Sequence, residues 1–214
     1  MLVMVIDTET SGLPKEKNAS IYQTRLWPHA LQLSFLVYDT EKHEVPAHYN
    51  TLIRIPDSVE IDPRSIEIHG ITREACVARG VPIVDALQHV NDWVAVCELV
   101  VGHNISFDKR VLLVEYIRNS MPGFGKDIRT RFYCTMKNGI NICKILATGR
   151  NGDTYHKYPR LAELYRTLFN EEPNGLHDAF ADVLACLRCY CAMNGLPDPK
   201  TGAASVQRLF RGGM

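Results

Sequence analysis

The chain has 214 residues, 46% of them hydrophobic and 22% charged, with 24 basic and 24 acidic side chains in balance. That length suits one full hydrophobic core and is short for two, and the composition is that of an ordinary soluble globular protein. The longest apolar runs fall far below the ~20 residues of a membrane span, which excludes an expected membrane partner.

Leu2 to Ile6 is an apolar run without a basic flank that meets an acid at Asp7, so it reads as a strand and not as a signal peptide. Apolar runs at 31–38 and 49–55 read as two more strands. The polar stretch from Asp39 to Glu44 separates them, which predicts a meander. A loop is expected at Ile68-His69-Gly70-Ile71-Thr72. Pro82 opens a helix through Trp93 to Val96, proline being tolerated in a first turn. Leu99-Val100-Val101 reads as a short buried strand closed by Gly102. Residues 106–119 are helical, with Phe107, Val111, Val114 and Ile117 roughly on one face. A strand near Phe132-Tyr133-Cys134 follows, then helices around 138–147, 159–169 and 178–193, with a loop at 149–153. From Gly195 onward, Pro197, Pro199, Gly202 and Gly212-Gly213 mark a weakly attached tail. A meander followed by alternating strands and helices implies a mixed sheet covered by helices, in one domain over residues 1–194 with a tail over 195–214.

Charge is not evenly spread. Residues 1–107 hold 8 basic and 14 acidic side chains (−6), whereas residues 109–166 hold 12 basic and 4 acidic ones (+8). The basic stretch is either a solvated face or a patch for a phosphate backbone, and its modest total fits a short strand or a strand end. Seven cysteines, odd in number and scattered, argue against a disulfide framework and for a reducing, cytoplasmic setting. Cys186, Cys189 and Cys191 share one predicted helix without a matching second ligand pair, so buried helix cysteines are favoured over zinc ligands.

Four acids and a histidine stand out. Each acid follows or sits within apolar sequence, where a charge is costly unless something compensates it, and bound divalent cations would compensate several at once. Asp7 and Glu9 are two apart on a strand, so both project from one face and can reach one ion. Thr10, Ser11 and Gly12 then form a turn where backbone can approach a ligand. Asp108 opens a helix after a Gly-His-Asn loop, a place that the helix dipole also favours for an acid. Asn104 and Phe107 beside it can either hold a nucleotide by hydrogen bonding and stacking or cap and pack the helix. His177 and Asp182 are five apart, roughly 140° round a continuous helix. They converge only if His177 sits on the loop before the helix, which Asn174-Gly175 permits. A histidine near a helix N-terminus tends to stay neutral, as a general base must.

Taken together these segments resemble the DEDDh class of the DnaQ-like 3′→5′ exonuclease superfamily, over residues 2–193. Val5-Ile6-Asp7-Thr8-Glu9-Thr10-Ser11-Gly12-Leu13 is similar to its first motif, and Gly102-His103-Asn104-Ile105-Ser106-Phe107-Asp108 to its second. His177-Asp178-Ala179-Phe180-Ala181-Asp182 is similar to its third. The resemblance implies an α/β, ribonuclease H-like fold whose mixed five-stranded sheet joins a three-strand meander to two parallel strands, flanked by helices. It also implies two Mg²⁺ or Mn²⁺ ions held by Asp7, Glu9, Asp108 and Asp182, with His177 as general base. Thr8, Thr10, Leu13, His69, Asn104 and Phe107 would contact the substrate's last nucleotide. The expected partner is a nucleic-acid 3′ end, DNA favoured over RNA, with a DNA polymerase subunit as a possible companion. A catalytically silent binding module is the competing reading. Val206-Gln207-Arg208-Leu209-Phe210 is one residue short of the usual clamp-docking peptide, so an amphipathic turn packed on the body is expected there.

Overall fold

The computed structural model of the chain describes residues 1–123 and 131–211, and the Gly212-Gly213 end of the tail lies outside them. Strand β1 (Leu2–Thr10) is central in a five-stranded sheet. On one side it pairs antiparallel with β2 (Ala30–Asp39), which pairs antiparallel with β3 (Glu44–Leu52); on the other it pairs parallel with β4 (Leu99–Gly102), which pairs parallel with β5 (Arg131–Cys134). This is the mixed sheet expected from the sequence, a meander joined to two parallel strands.

Val3 to Ile6 of β1 are at most 1% exposed, because both strand edges are paired and both sheet faces are covered. Met4 and Ile6 face a core built with Leu33, Phe35 and Val37 under α3 (Ile83–Val94) and α4 (Ile105–Arg118). Val3 and Val5 face the opposite core, built with Leu36 and Tyr38 under α6 (Leu161–Phe169) and α7 (Ala179–Met193). The period-two alternation of β1 therefore assigns its odd positions to the α7 side.

Several elements differ from the expectation. The third strand begins at Glu44, not 49; Pro46 does not block it, because β3 is an edge strand with one edge free of ladder bonds. The expected 68–72 loop is present but confined to Gly70-Ile71-Thr72, between two short helices not expected from the sequence. Here α1 (Pro63–His69) ends on Gly70 in the left-handed region (φ 70°), and α2 (Arg73–Arg79) starts at the Thr72 cap. The helix expected at 138–147 is α5 (Thr135–Cys143), and it gives way to a hairpin of β6 (Leu146–Thr148) and β7 (Thr154–His156). The C-terminal segment is also better anchored than expected. Arg188 is buried in ion pairs with Asp198 (2.8 Å) and Glu171 (2.9 Å). In α8 (Ala204–Arg211) Val206 is fully buried, and Leu209 and Phe210 pack on the α7-side core. The clamp-like residues thus face inward. Among the described residues no helix is long and apolar enough to cross a membrane.

Candidate active site

The site forms where β1 outruns its parallel neighbour. Val3, Met4 and Val5 pair with Leu99, Val100 and Val101, but β4 ends at Gly102, so the last residues of β1 lose that partner. Gly102 allows the sharp exit into α4. A Cβ there would lie 2.8 Å from the Ile105 side chain and 3.2 Å from the Ile6 carbonyl, too close for any larger residue without displacement. The chain then re-enters over the strand end. Asp108, in the first turn of α4, accepts the freed Thr8 N–H (3.1 Å) and the Thr8 hydroxyl (2.8 Å) on Oδ1.

Asp7 and Glu9 continue the odd-numbered face of β1 toward α7, whose first turn carries Asp182. One carboxylate oxygen from each of Asp7, Glu9 and Asp182 lies within 4.8 Å of the others. Asp108, only 3% exposed, stands close enough to raise Asp7, Glu9 and Asp182 electrostatically. Burial is the first cause of every shift. It holds Asp7 far above the usual carboxylate range, with Asp108, Asp182, Glu9 and Asp178 adding repulsion. Glu9 is pushed up to about 8 by burial and then by Asp182 and Asp108. Asp182 rises to about 7 against the downward pull of a His177 N–H bond, and Asp108 to about 6 against the Thr8 bonds. Among the described residues no lysine or arginine forms an ion pair with these four acids. Three convergent carboxylates with mutual repulsion and only oxygen donors fit a hard divalent cation.

His177 lies on the turn before α7, as the five-residue spacing requires, with φ at 74°. Its backbone N–H donates to Asp182 Oδ2 (3.3 Å) and its side chain is exposed. His69 closes α1 nearby, near enough for His177 to lower its pKa, although burial is the larger cause. The Ile71 N–H donates to His69 Nδ1 (3.0 Å), so Nε2 carries the proton that bonds the Thr10 carbonyl (3.2 Å). Leu13 is 78% exposed at the rim. It opens on a cleft of about 720 Å³ whose lining includes Gly12, Lys15, Arg25 and Asp62.

The other expected contacts are partly occupied within the protein. The Thr8 hydroxyl serves Asp108 and that of Thr10 donates to the Gly12 carbonyl (2.8 Å). Asn104 adopts the left-handed region (φ 69°) and its Oδ1 accepts from Ser106 (3.2 Å), while Phe107 packs against the α3–α4 core. Two residues not singled out from the sequence set the placement of α7. Asp178 caps the helix by accepting the Phe180 and Ala181 N–H groups. Buried Gln32 on β2 donates to Asp178 Oδ2 (2.8 Å) and accepts the Ala179 N–H (3.2 Å). An acid directly before an apolar run is a capping signal, and a lone amide inside Ala30-Leu31-Gln32-Leu33 signals a buried polar partner.

A five-stranded mixed sheet with acids gathered at the end of its central strand defines a ribonuclease H-like nuclease fold. Residues 4–190 match the exonuclease family model named for RNase T, and the chain belongs to that family. Among curated proteins no sequence matches. Solved structures of Escherichia coli exonuclease I share the fold. The complex with a 5cy-dT13 oligonucleotide aligns at TM-score 0.66 and 19% identity, and the complex with dT13 at 0.67 and 18%. Each alignment covers 98% of this chain but 42% of exonuclease I, so the chain spans less than half the length of those proteins.

Proposed function

We propose that the chain is a metal-dependent 3′→5′ exonuclease that removes nucleoside 5′-monophosphates from single-stranded DNA ends. The observation that carries this reading is the convergence of Asp7, Glu9 and Asp182 within 4.8 Å, beside the His177 turn. The oligonucleotides in the exonuclease I complexes support a single-stranded substrate, and seven unpaired cysteines support a reducing compartment. Asp7, Glu9 and Asp182 would hold divalent cations, Mg²⁺ or Mn²⁺, with Asp108 completing the set. Cations bound there supply positive charge to the scissile phosphate and acidify water at neutral pH.

The chain's own residues do the rest. Thr8 fixes Asp108 through two hydrogen bonds, so that carboxylate needs no reorganisation when substrate arrives. Gln32 and Asp178 fix the first turn of α7 and hence Asp182. A His177 ring nitrogen takes the proton from the attacking water. The water oxygen bonds to phosphorus, the P–O3′ bond breaks, and the departing 3′-oxygen gains a proton from solvent. His69 holds the Thr10 carbonyl, which keeps the strand end and the exposed Leu13 in place against the terminal nucleoside.

The test is a time course on 3′-labelled and 5′-labelled oligonucleotides, DNA and RNA in parallel, with Mg²⁺, with Mn²⁺ and with EDTA. Mononucleotides should leave the 3′ end only when a cation is present, faster from DNA, and not at all with Asp7→Ala. Release without cation, or from the 5′ end first, would overturn the reading.

A further inference from the structure

The hairpin between α5 and α6 has no part in the carboxylate site, yet it concentrates exposed apolar surface. Leu146 is 68% exposed, and Tyr155 and Tyr158 are each 53% exposed. The pairing Leu146 with His156 and Ala147 with Tyr155 puts Leu146 and Tyr155 on opposite faces of the two-stranded ribbon. Rings left solvated add no burial energy to the fold, and a two-stranded ribbon is marginal alone. The charge around them is one-sided. Lys144, Arg150, His156 and Arg160 are exposed, and Lys144 and Arg150 have no ion-pair partner among the described residues. Asp153 is the one acid from 144 to 160.

The hairpin is also rooted beside the site. At its base the Lys157 N–H donates to the Ile145 carbonyl (2.9 Å). Two residues on, the Pro159 carbonyl is 3.0 Å from His103 Nε2. His103 leads directly into Asn104 and the α4 turn that carries Asp108. The ribbon therefore springs from the same end of the sheet as the carboxylates. From residue 146 to its tip at 150 it extends roughly 13 Å, the length of about four stacked nucleotides at ~3.4 Å each.

We infer that the β6–β7 hairpin is a nucleic-acid arm that grips the single strand upstream of the 3′ end, stacking bases on Tyr155 and Tyr158 and meeting phosphates with Arg150 and Lys144. Exposed rings amid unpaired cations fit single-stranded nucleic acid, because every base has a π-face and the backbone is anionic. The inference rests on the exonuclease reading for its direction but not for the binding itself. A dinucleotide is too short to reach the arm; a 16-mer is not.

The full chain is compared with Tyr155→Ala/Tyr158→Ala and, separately, Arg150→Glu. Anisotropy with a labelled single-stranded dT16 in EDTA reads binding, and turnover of a dT dinucleotide with Mg²⁺ reads the site. The aromatic variant should bind dT16 at least ~10-fold more weakly. Arg150→Glu should weaken binding and flatten its salt dependence by about one unit of slope. Dinucleotide turnover should be unchanged in both. Unaltered dT16 affinity in both variants would overturn the arm, as would an equal fall in dinucleotide turnover. If the exonuclease reading fails instead, the wild type binds dT16 through the arm but leaves both substrates uncut.

Discussion

Stripping the protein of divalent cations should make its stability fall as pH rises through neutrality. The unfolded chain releases protons from Glu9 near 4.5 and from Asp182 near 3.8, whereas the fold holds them to about 8 and about 7. Between those values the native state binds more protons than the unfolded one, so unfolding free energy decreases with pH. His29 and His103 oppose this at lower pH. Burial depresses both to about 4 from 6.5, so their contribution rises with pH until about 7.5. The carboxylates dominate in the window from pH 6.5 to 8. There Glu9 and Asp182 together should cost about 2 kcal/mol, at ~1.4 kcal/mol per proton and pH unit, and the last of the histidine contribution offsets somewhat less than ~1 kcal/mol of it. For a chain of this size the net drop is roughly 3–6 °C in Tm. Calorimetric scans in EDTA at the two pH values should show the drop. The same scans in millimolar Mg²⁺ or Mn²⁺ should lose it, because bound cation stabilises the ionised acids and favours the fold by mass action. Glu9→Gln should shrink the drop in EDTA. A Tm in EDTA that is flat or rising across this window, or one indifferent to cation, would refute the cluster as a cation site.

Three further outcomes are expected. His177→Ala should lose at least ~10²-fold in turnover with cation affinity by titration calorimetry unaltered; an unchanged rate means that another group takes the proton. Arg118→Ala should cost about 3 kcal/mol in urea unfolding, since Arg118 pairs with buried Glu115 (2.7 Å) and donates to the Thr24, Trp27 and Pro28 carbonyls. A loss below ~1 kcal/mol would show that the 24–28 segment holds itself. Gln32→Leu leaves Asp178 Oδ2 and the Ala179 N–H without their partner, and should cost about 1–3 kcal/mol. Its turnover should fall further than stability alone explains, because Asp182 shares that first turn; normal turnover would separate α7 placement from the chemistry.

How far the fold could be read in advance depended on whether burial or local capping decided each segment. Strands β1, β2 and β4 and helices α3, α4 and α7 bury whole faces, and a buried face writes its period into the sequence. The missed elements are those that bury little. In α1 no side chain is fully buried, so hydrophobic periodicity could not reveal it, although Asp62-Pro63 at its start and Gly70 at its end are ordinary helix boundaries. The β6–β7 ribbon buries no side chain fully and carries no hydrophobic alternation to read. The start of β3 was missed for the same reason, because Glu44 to His48 bury little on this edge strand and leave no apolar run to read.

The site was legible for a different reason. Acids within apolar sequence advertise their cost, and Asp7, Glu9, Asp108 and Asp182 all lie where burial raises them. What a linear reading could not supply is which polar atoms would be consumed in holding them. Thr8 looks free to meet a substrate until β4 stops at Gly102 and leaves the Thr8 N–H for Asp108. Likewise both oxygens of Asp178 are spent on placing the helix: Gln32, 146 residues away along the chain, takes one and the α7 backbone the other. The two locks have different origins. A parallel neighbour that ends early frees the Thr8 N–H to hold Asp108, whereas the buried amide on β2 holds the first turn of α7 and with it Asp182.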